Sequence, residues 1–265
     1  MTATILAFLF GLLIGSFLNV CIYRWPRDLS VVRPRSHCPT CAQTIAWYDN
    51  IPLLSYALLG ARCRHCHARI PVRYPIVELA TGLAFAYFVA TLGPALPAVK
   101  MCVFAAALIA LLFCDLEERI LPDELTLGGA LAGLAFAAFV PTPDATAQAL
   151  VSFAGINLNG RADSLAESVL GAALPAAILW GGGWLYEKVR HREGLGFGDV
   201  KFMVMVGAFL GLNGALRTLM LGALAGSVLG GGYMLVTRKD STYELPFGTF
   251  LSAAALVVGI FFLRS

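Results

Sequence analysis

The sequence predicts an all-α polytopic membrane protein of about eight transmembrane helices, with one small polar insert outside the bilayer. Three observations predict it. Of 265 residues, 58% are hydrophobic and 13% charged, and the mean hydropathy is +0.77, too apolar for a soluble globular chain. The apolar residues gather into stretches close to the roughly 20 residues a helix needs to cross a ~30 Å hydrocarbon core. Between these stretches, the basic residues cluster in alternate connections.

In chain order the expected spans are 3–23, 76–92, 96–114, 124–140, 168–186, 200–212, 216–236 and 249–263, the sixth and eighth being short. The sixth and seventh are divided at Asn213-Gly214. The first is not expected to be a cleaved signal peptide, because no basic residue precedes it and Arg24 follows its long apolar run. An outside N-terminus and an inside Arg24 satisfy the positive-inside rule. The cytoplasmic segments are then 24–75, 115–123, 187–199 and 237–248. Together with Lys201 they hold 15 of the 19 basic residues, and 24–75 alone has eight arginines and no lysine. This bias accounts for the net charge of +3 without a nucleic-acid partner. The bilayer is the expected partner, and the chain divides into a first helix (1–23), a cytoplasmic insert (24–75) and a membrane core (76–265).

The insert carries Cys38-Pro39-Thr40-Cys41 and Cys63-Arg64-His65-Cys66, two C-x-x-C pairs separated by 21 residues. Four thiolates brought to one tetrahedron suit a structural zinc ion, so the insert reads as zinc-ribbon-like with Cys38, Cys41, Cys63 and Cys66 as ligands. Paired disulfides are the alternative, and a reducing cytoplasm disfavours them. A fifty-residue insert has too little core to stand without such a staple. His37, His65 and His67 read as solvated neighbours. Cys21, Cys102 and Cys114 read as small apolar packing residues.

Asp115 closes the third span and Asp199 opens the sixth, after the glycines of Gly194-Leu195-Gly196-Phe197-Gly198. Carboxylates this close to a bilayer are costly and are functional-site candidates by default. Two that meet form a coupled dyad, in which an ionised group activates water and a protonated one polarises a carbonyl, as peptide hydrolysis requires. Gly196 and Gly198 clear side chains ahead of Asp199 for a sharp turn or a close substrate backbone. Asp123 competes with Asp115, but after Pro122 it reads as a helix cap. Glu117 and Glu118 read as a solvated loop face.

Several further motifs accompany these aspartates: Gly15-Ser16-Phe17-Leu18-Asn19 running on to Arg24, Asn50-Ile51-Pro52 between the cysteine pairs, Arg73-Tyr74-Pro75-Ile76-Val77-Glu78, Gly196-Phe197-Gly198-Asp199-Val200-Lys201, and Glu244-Leu245-Pro246-Phe247-Gly248. Over nearly its whole length the chain thereby resembles the bacterial prepilin peptidases, or type IV leader peptidases, membrane aspartyl proteases with a Gly-x-Gly-Asp motif related to the presenilin type. The resemblance implies Asp115 and Asp199 as the catalytic pair, in the bacterial inner membrane. It implies cleavage of type IV prepilins and pseudopilins at the cytoplasmic face, and N-methylation of the new N-terminal residue from S-adenosylmethionine. No glycine-rich dinucleotide fingerprint supports the methyl donor independently. Thr249 departs from the family pattern, which has proline after Phe-Gly, and the departure is expected to bear on how the helix starts and not on the chemistry.

Other residues keep two readings. Glu78 contacts substrate or methyl donor, or pairs with Arg73. Lys201 supports Asp199, or carries its charge to the headgroups. Asn19, buried in a span, needs a partner, which is a helix or the substrate. Gly181–Gly183 and Gly230–Gly232 are expected at close helix contacts. The loop 141–167 lies outside with no assigned role. A proton- or metal-coupled transporter is disfavoured, because the acids sit at one surface and no repeat is evident. A non-enzymatic zinc-bearing assembly factor would leave both aspartate motifs without a role.

Overall fold

A computed structural model of the chain describes residues 1–142, 146–153, 160–191, 196–237 and 245–262. The structure is all-helical: ten α-helices and no strand occur among the described residues. The chain divides into two compact units, Met1–Ala110 and Leu111–Ser265. This cut lies within the helix Leu96–Glu118.

In the first unit, α1 (Thr2–Arg24) packs along α3 (Arg73–Leu92). Its other face presents Leu6, Leu9, Phe10 and Leu13 outward, as a lipid-facing surface requires. The two backbones approach closely at Gly15, where a Cβ would fall 2.6 Å from the Glu78 Cα. Small residues at such contacts gain dispersion energy that larger side chains would block. Between these helices the insert contains only the short helix α2 (Leu54–Leu58) and two 3-10 turns. Each cysteine pair forms a tight turn closed by one isolated bridge, His37 with Thr44 and Arg62 with Arg69.

Membrane helices anchor the insert at three points. Arg24 donates from its guanidinium to the Ser30 and Pro34 carbonyls at 2.8 and 2.7 Å. Asn19 Nδ2 donates to the Tyr74 carbonyl at 3.1 Å and to its own helix at Gly15 O at 3.3 Å. Glu78 accepts the Leu53 backbone N–H at 2.8 Å. Within the insert, Arg64 donates to both carboxylate oxygens of Asp49.

The helix α4 (Leu96–Glu118) leads into the second unit, which contains α5 (Asp123–Ala137), α6 (Thr146–Phe153), α7 (Arg161–Arg190), α8 (Phe197–Ala225), α9 (Gly231–Thr237) and α10 (Phe247–Phe262). Here α8 is central, packing against α5, α7 and α10. The α7–α8 contact is closest at Gly207, where a Cβ would lie 1.9 Å from the Gly171 carbonyl oxygen. A five-residue π-helical stretch joins α8 to α9.

Among the described residues, five helices are long and apolar enough to cross a membrane: Thr2–Arg27, Arg73–Leu92, Leu96–Glu118, Arg161–Arg190 and Phe197–Met234. A shorter apolar helix covers Phe247–Phe261, and α5 has 15 residues. Each of the eight expected stretches overlaps a helix, although the fourth runs three residues past α5 and the sixth and seventh run together. Their break is at Gly211, with φ 74° and ψ −174°, and not at Asn213-Gly214. That left-handed φ frees the Leu212 N–H, which lies 3.5 Å from the buried Glu167 Oε2. The expected glycine contacts are also displaced: Gly181, Gly182, Gly231 and Gly232 face open space, while Gly230 meets Leu245.

Candidate active site and cysteine cluster

Asp115 sits near the C-terminal end of α4, which Arg119 terminates with a left-handed φ of 56°. Asp199 is the third residue of α8, whose N-cap is Gly196, and its backbone N–H donates to the Gly196 carbonyl at 3.1 Å. Both side chains are buried, 6% and 9% exposed, although each occupies a helix end where water would otherwise solvate it. They lie close enough for their charges to interact. Both acids belong to the second unit.

Leu121 lies beside Gly198 on one side and Gly248 on the other. A Cβ on Gly248 would lie 3.0 Å from the Asp115 carboxyl carbon and 3.1 Å from the Leu121 side chain, so only glycine fits there without displacing the acid. Gly198 faces the same Leu121, but at an ordinary van der Waals distance of 3.4 Å. Gly196 is exposed, and a Cβ there would be 3.7 Å from Asp199 Oδ2. Gly194 and Glu244 lie outside the described residues.

The N-terminus of α10 completes the surroundings of Asp115. The Thr249 backbone N–H donates to Asp115 Oδ2 at 2.5 Å, and its hydroxyl donates to the same oxygen at 2.8 Å. The departure from the family pattern at Thr249, expected to bear on how the helix starts, thus also touches Asp115. The signal was present: a hydroxyl and a free N–H had replaced a residue that offers neither.

The competing acid is occupied elsewhere. Asp123 makes no capping bond, since the N-cap of α5 is Pro122 and no side chain caps it. Its two carboxylate oxygens instead accept from Lys201 Nζ at 2.7 and 2.9 Å, in a partly exposed ion pair. Lys201 therefore joins α8 to α5 and directs its charge to Asp123.

In the first unit, Cys38, Cys41, Cys63 and Cys66 place their sulfur atoms within 4.8 Å of one another. No disulfide joins any of the seven cysteines, and the Cys38 and Cys66 sulfurs lie 3.8 Å apart. The two turns repeat one another. Cys38 and Cys63 each accept the N–H of a left-handed residue four positions on, Ala42 (φ 58°) and His67 (φ 56°). Desolvation opposes ionisation of Cys38, but the Cys41 and Thr40 N–H groups hold its thiol down to about 6. The Cys66 and His65 N–H groups lower Cys63 in the same way. The Ala68 N–H favours the Cys66 thiolate, yet desolvation and proton sharing with the other sulfurs push that thiol up to about 11. Four soft donors, some already disposed to ionise, fit a tetrahedral thiolate-bound metal ion. His65 and His67 are exposed, and His37 Nδ1 is 3.2 Å from the Arg35 carbonyl, so the cluster gathers cysteines alone.

Asn19 and Glu78, considered above for substrate or methyl donor, face each other's helices and tie the insert down. Asn19 Oδ1 is buried without a hydrogen-bond partner.

Two family models match successive parts of the chain. Residues 9–92 match the bacterial peptidase A24 N-terminal domain, and residues 102–235 match the type IV leader peptidase family. Curated relatives named prepilin leader peptidase/N-methyltransferase include one from Myxococcus xanthus, 42% identical over 91% of this chain and 68% of the relative. Another, from Aeromonas hydrophila, is 34% identical over 95% of this chain and 88% of its own length. One from Pseudomonas aeruginosa is 32% identical over 94% and 87%. No solved structure gives a significant match. With both profiles matched in order and such relatives aligned along most of its length, the chain belongs to the type IV leader peptidase family.

Proposed function

We propose that this chain is an aspartic endopeptidase that removes the leader of type IV prepilins and pseudopilins and N-methylates the residue so exposed. The observation that carries the reading is that Asp115 and Asp199 are both buried at helix ends, near enough for the charge of one to bear on the other. One carboxylate takes a proton from water while the other, protonated, donates to the scissile carbonyl. The water oxygen bonds to the carbonyl carbon, the C–N bond breaks, and the leaving amine takes up the proton. Gly196, exposed ahead of Asp199, leaves room for an extended substrate backbone, while Gly198 and Gly248 let Leu121 pack closely beside the acids. Lys201 supports this site at one remove, by fixing α8 to α5 through Asp123.

The remaining assignments extend this reading. Eight spans, with α8 crossing twice around Gly211, and an external N-terminus put both aspartates at the cytoplasmic face of the bacterial inner membrane, where 15 of 19 basic residues also fall. The four cysteines would hold zinc, which would supply a rigid cross-link to an insert without a core. S-adenosylmethionine would supply the methyl group. That assignment follows the relatives' names, and no residue is assigned to the donor.

The test is processing of a type IV prepilin by membranes carrying Asp115→Asn or Asp199→Asn. Each substitution alone is expected to abolish cleavage with the protein still inserted, and full cleavage by either variant would falsify the protease reading. The transporter and assembly-factor alternatives both predict unimpaired processing.

A further inference from the structure

The surroundings of the two aspartates are asymmetric. Asp115 Oδ2 receives two donors from one residue of α10, the N–H and the hydroxyl of Thr249. Among the described residues, no side chain or backbone group is seen to donate to Asp199. The Thr249 N–H belongs to the first turn of a 16-residue helix, where N–H groups lack intrahelical acceptors and the helix dipole favours an anion.

We propose that Thr249 is a positioning residue for the proteolytic reaction, holding Asp115 as the charged, water-activating member of the dyad and leaving the proton on Asp199. This inference rests on the peptidase reading above and assigns the two roles within it. A backbone N–H can only donate, so it discriminates in favour of an acceptor oxygen that carries charge. The hydroxyl is less selective. It has one proton, which goes to Asp115 at 2.8 Å in preference to the Leu112 carbonyl at 3.4 Å. Both bonds engage Oδ2, so Oδ1 is the oxygen left to take a proton from water.

The charged groups bearing on Asp115 are Asp199 from α8 and Arg119, one turn further along its own chain. The helix α10 contains no charged residue between Phe247 and Phe262, and Lys201 is engaged by Asp123. Thr249 is thus the contribution of α10 to the state of the dyad.

The experiment compares Thr249→Ser, Thr249→Val and Thr249→Pro in the full-length membrane enzyme, measuring prepilin cleavage against pH. Proline is sterically suited to a first helical turn, so Thr249→Pro removes both donors without breaking α10. Thr249→Val removes only the hydroxyl. The expected result is that Thr249→Val moves the acidic limb of kcat/KM upward by about one pH unit, the scale of one hydrogen bond to a charged group. Thr249→Pro moves it further, and Thr249→Ser restores the parent profile. KM for the prepilin changes little, since Thr249 acts through Asp115. Superimposable acidic limbs for all four proteins would overturn the assignment, as would a shift in Thr249→Val that serine fails to rescue. If Thr249→Pro lowers activity equally at every pH while Thr249→Val is normal, the residue only shapes the helix start and the inference is wrong. Asp115→Asn is run alongside: its retention of cleavage would remove the peptidase reading itself, which no Thr249 result can do.

Discussion

Lys201 Nζ grips both carboxylate oxygens of Asp123, joining the first turns of α8 and α5 two residues from Asp199. The pair explains why a cation so near the dyad need not neutralise it, and it removes Asp123 from competition for the catalytic role. Because the pair is partly exposed, its coupling is expected to be about 0.2–1 kcal/mol.

Lys201→Met and Asp123→Asn should therefore each reduce prepilin cleavage by less than about tenfold, with a double mutant little worse than either single one. Asp115→Asn and Asp199→Asn should leave no cleavage. Initial rates on one prepilin, measured at matched enzyme levels, separate the two classes. Complete inactivity of Lys201→Met would show that its charge reaches the dyad after all.

Much of this molecule was legible because the bilayer writes its demands into composition. Apolar stretches, arginine clusters and two C-x-x-C pairs each follow from a local requirement, and each located its element. Relations between elements were less visible. Nothing near Asp123 in sequence announces that Lys201, 78 residues away, occupies it. Gly181 and Gly207 look alike in sequence, yet only Gly207 faces another backbone, because contact depends on which side of the helix a residue occupies. The contact of Thr249 was hidden for a similar reason: its N–H meets a partner 134 residues earlier in the chain.

The cysteine cluster makes a proton-linked prediction. Without metal, Cys38 loses its proton above about pH 6, while Cys66 keeps its proton up to about pH 11. Zinc binding at neutral pH must therefore displace at least the Cys66 proton, and affinity should fall as pH drops and protons compete for the sulfurs. Calorimetric zinc titration of the chelator-stripped, full-length protein in two buffers of different ionisation enthalpy measures the protons released. Cys63→Ser should lower bound zinc and loosen residues 24–75, while prepilin cleavage persists because the aspartates belong to other helices. Unchanged metal content in that variant would refute the site.

Glu78 permits a sharper separation between holding the insert and touching a substrate. Its Oε2 accepts the Leu53 N–H at 2.8 Å, and Leu53 has a positive φ of 60° that the chain would not adopt unaided. Glutamine keeps an acceptor oxygen, so Glu78→Gln should preserve this anchor, whereas Glu78→Ala leaves the Leu53 N–H without its acceptor at a cost of about 1–3 kcal/mol. If Glu78 only anchors, hydrogen exchange at Leu53 rises in Glu78→Ala alone, and methylation falls only in that variant. Loss of methylation in Glu78→Gln with the Leu53 amide still protected would mean that the carboxylate charge itself meets the new amine or the methyl donor.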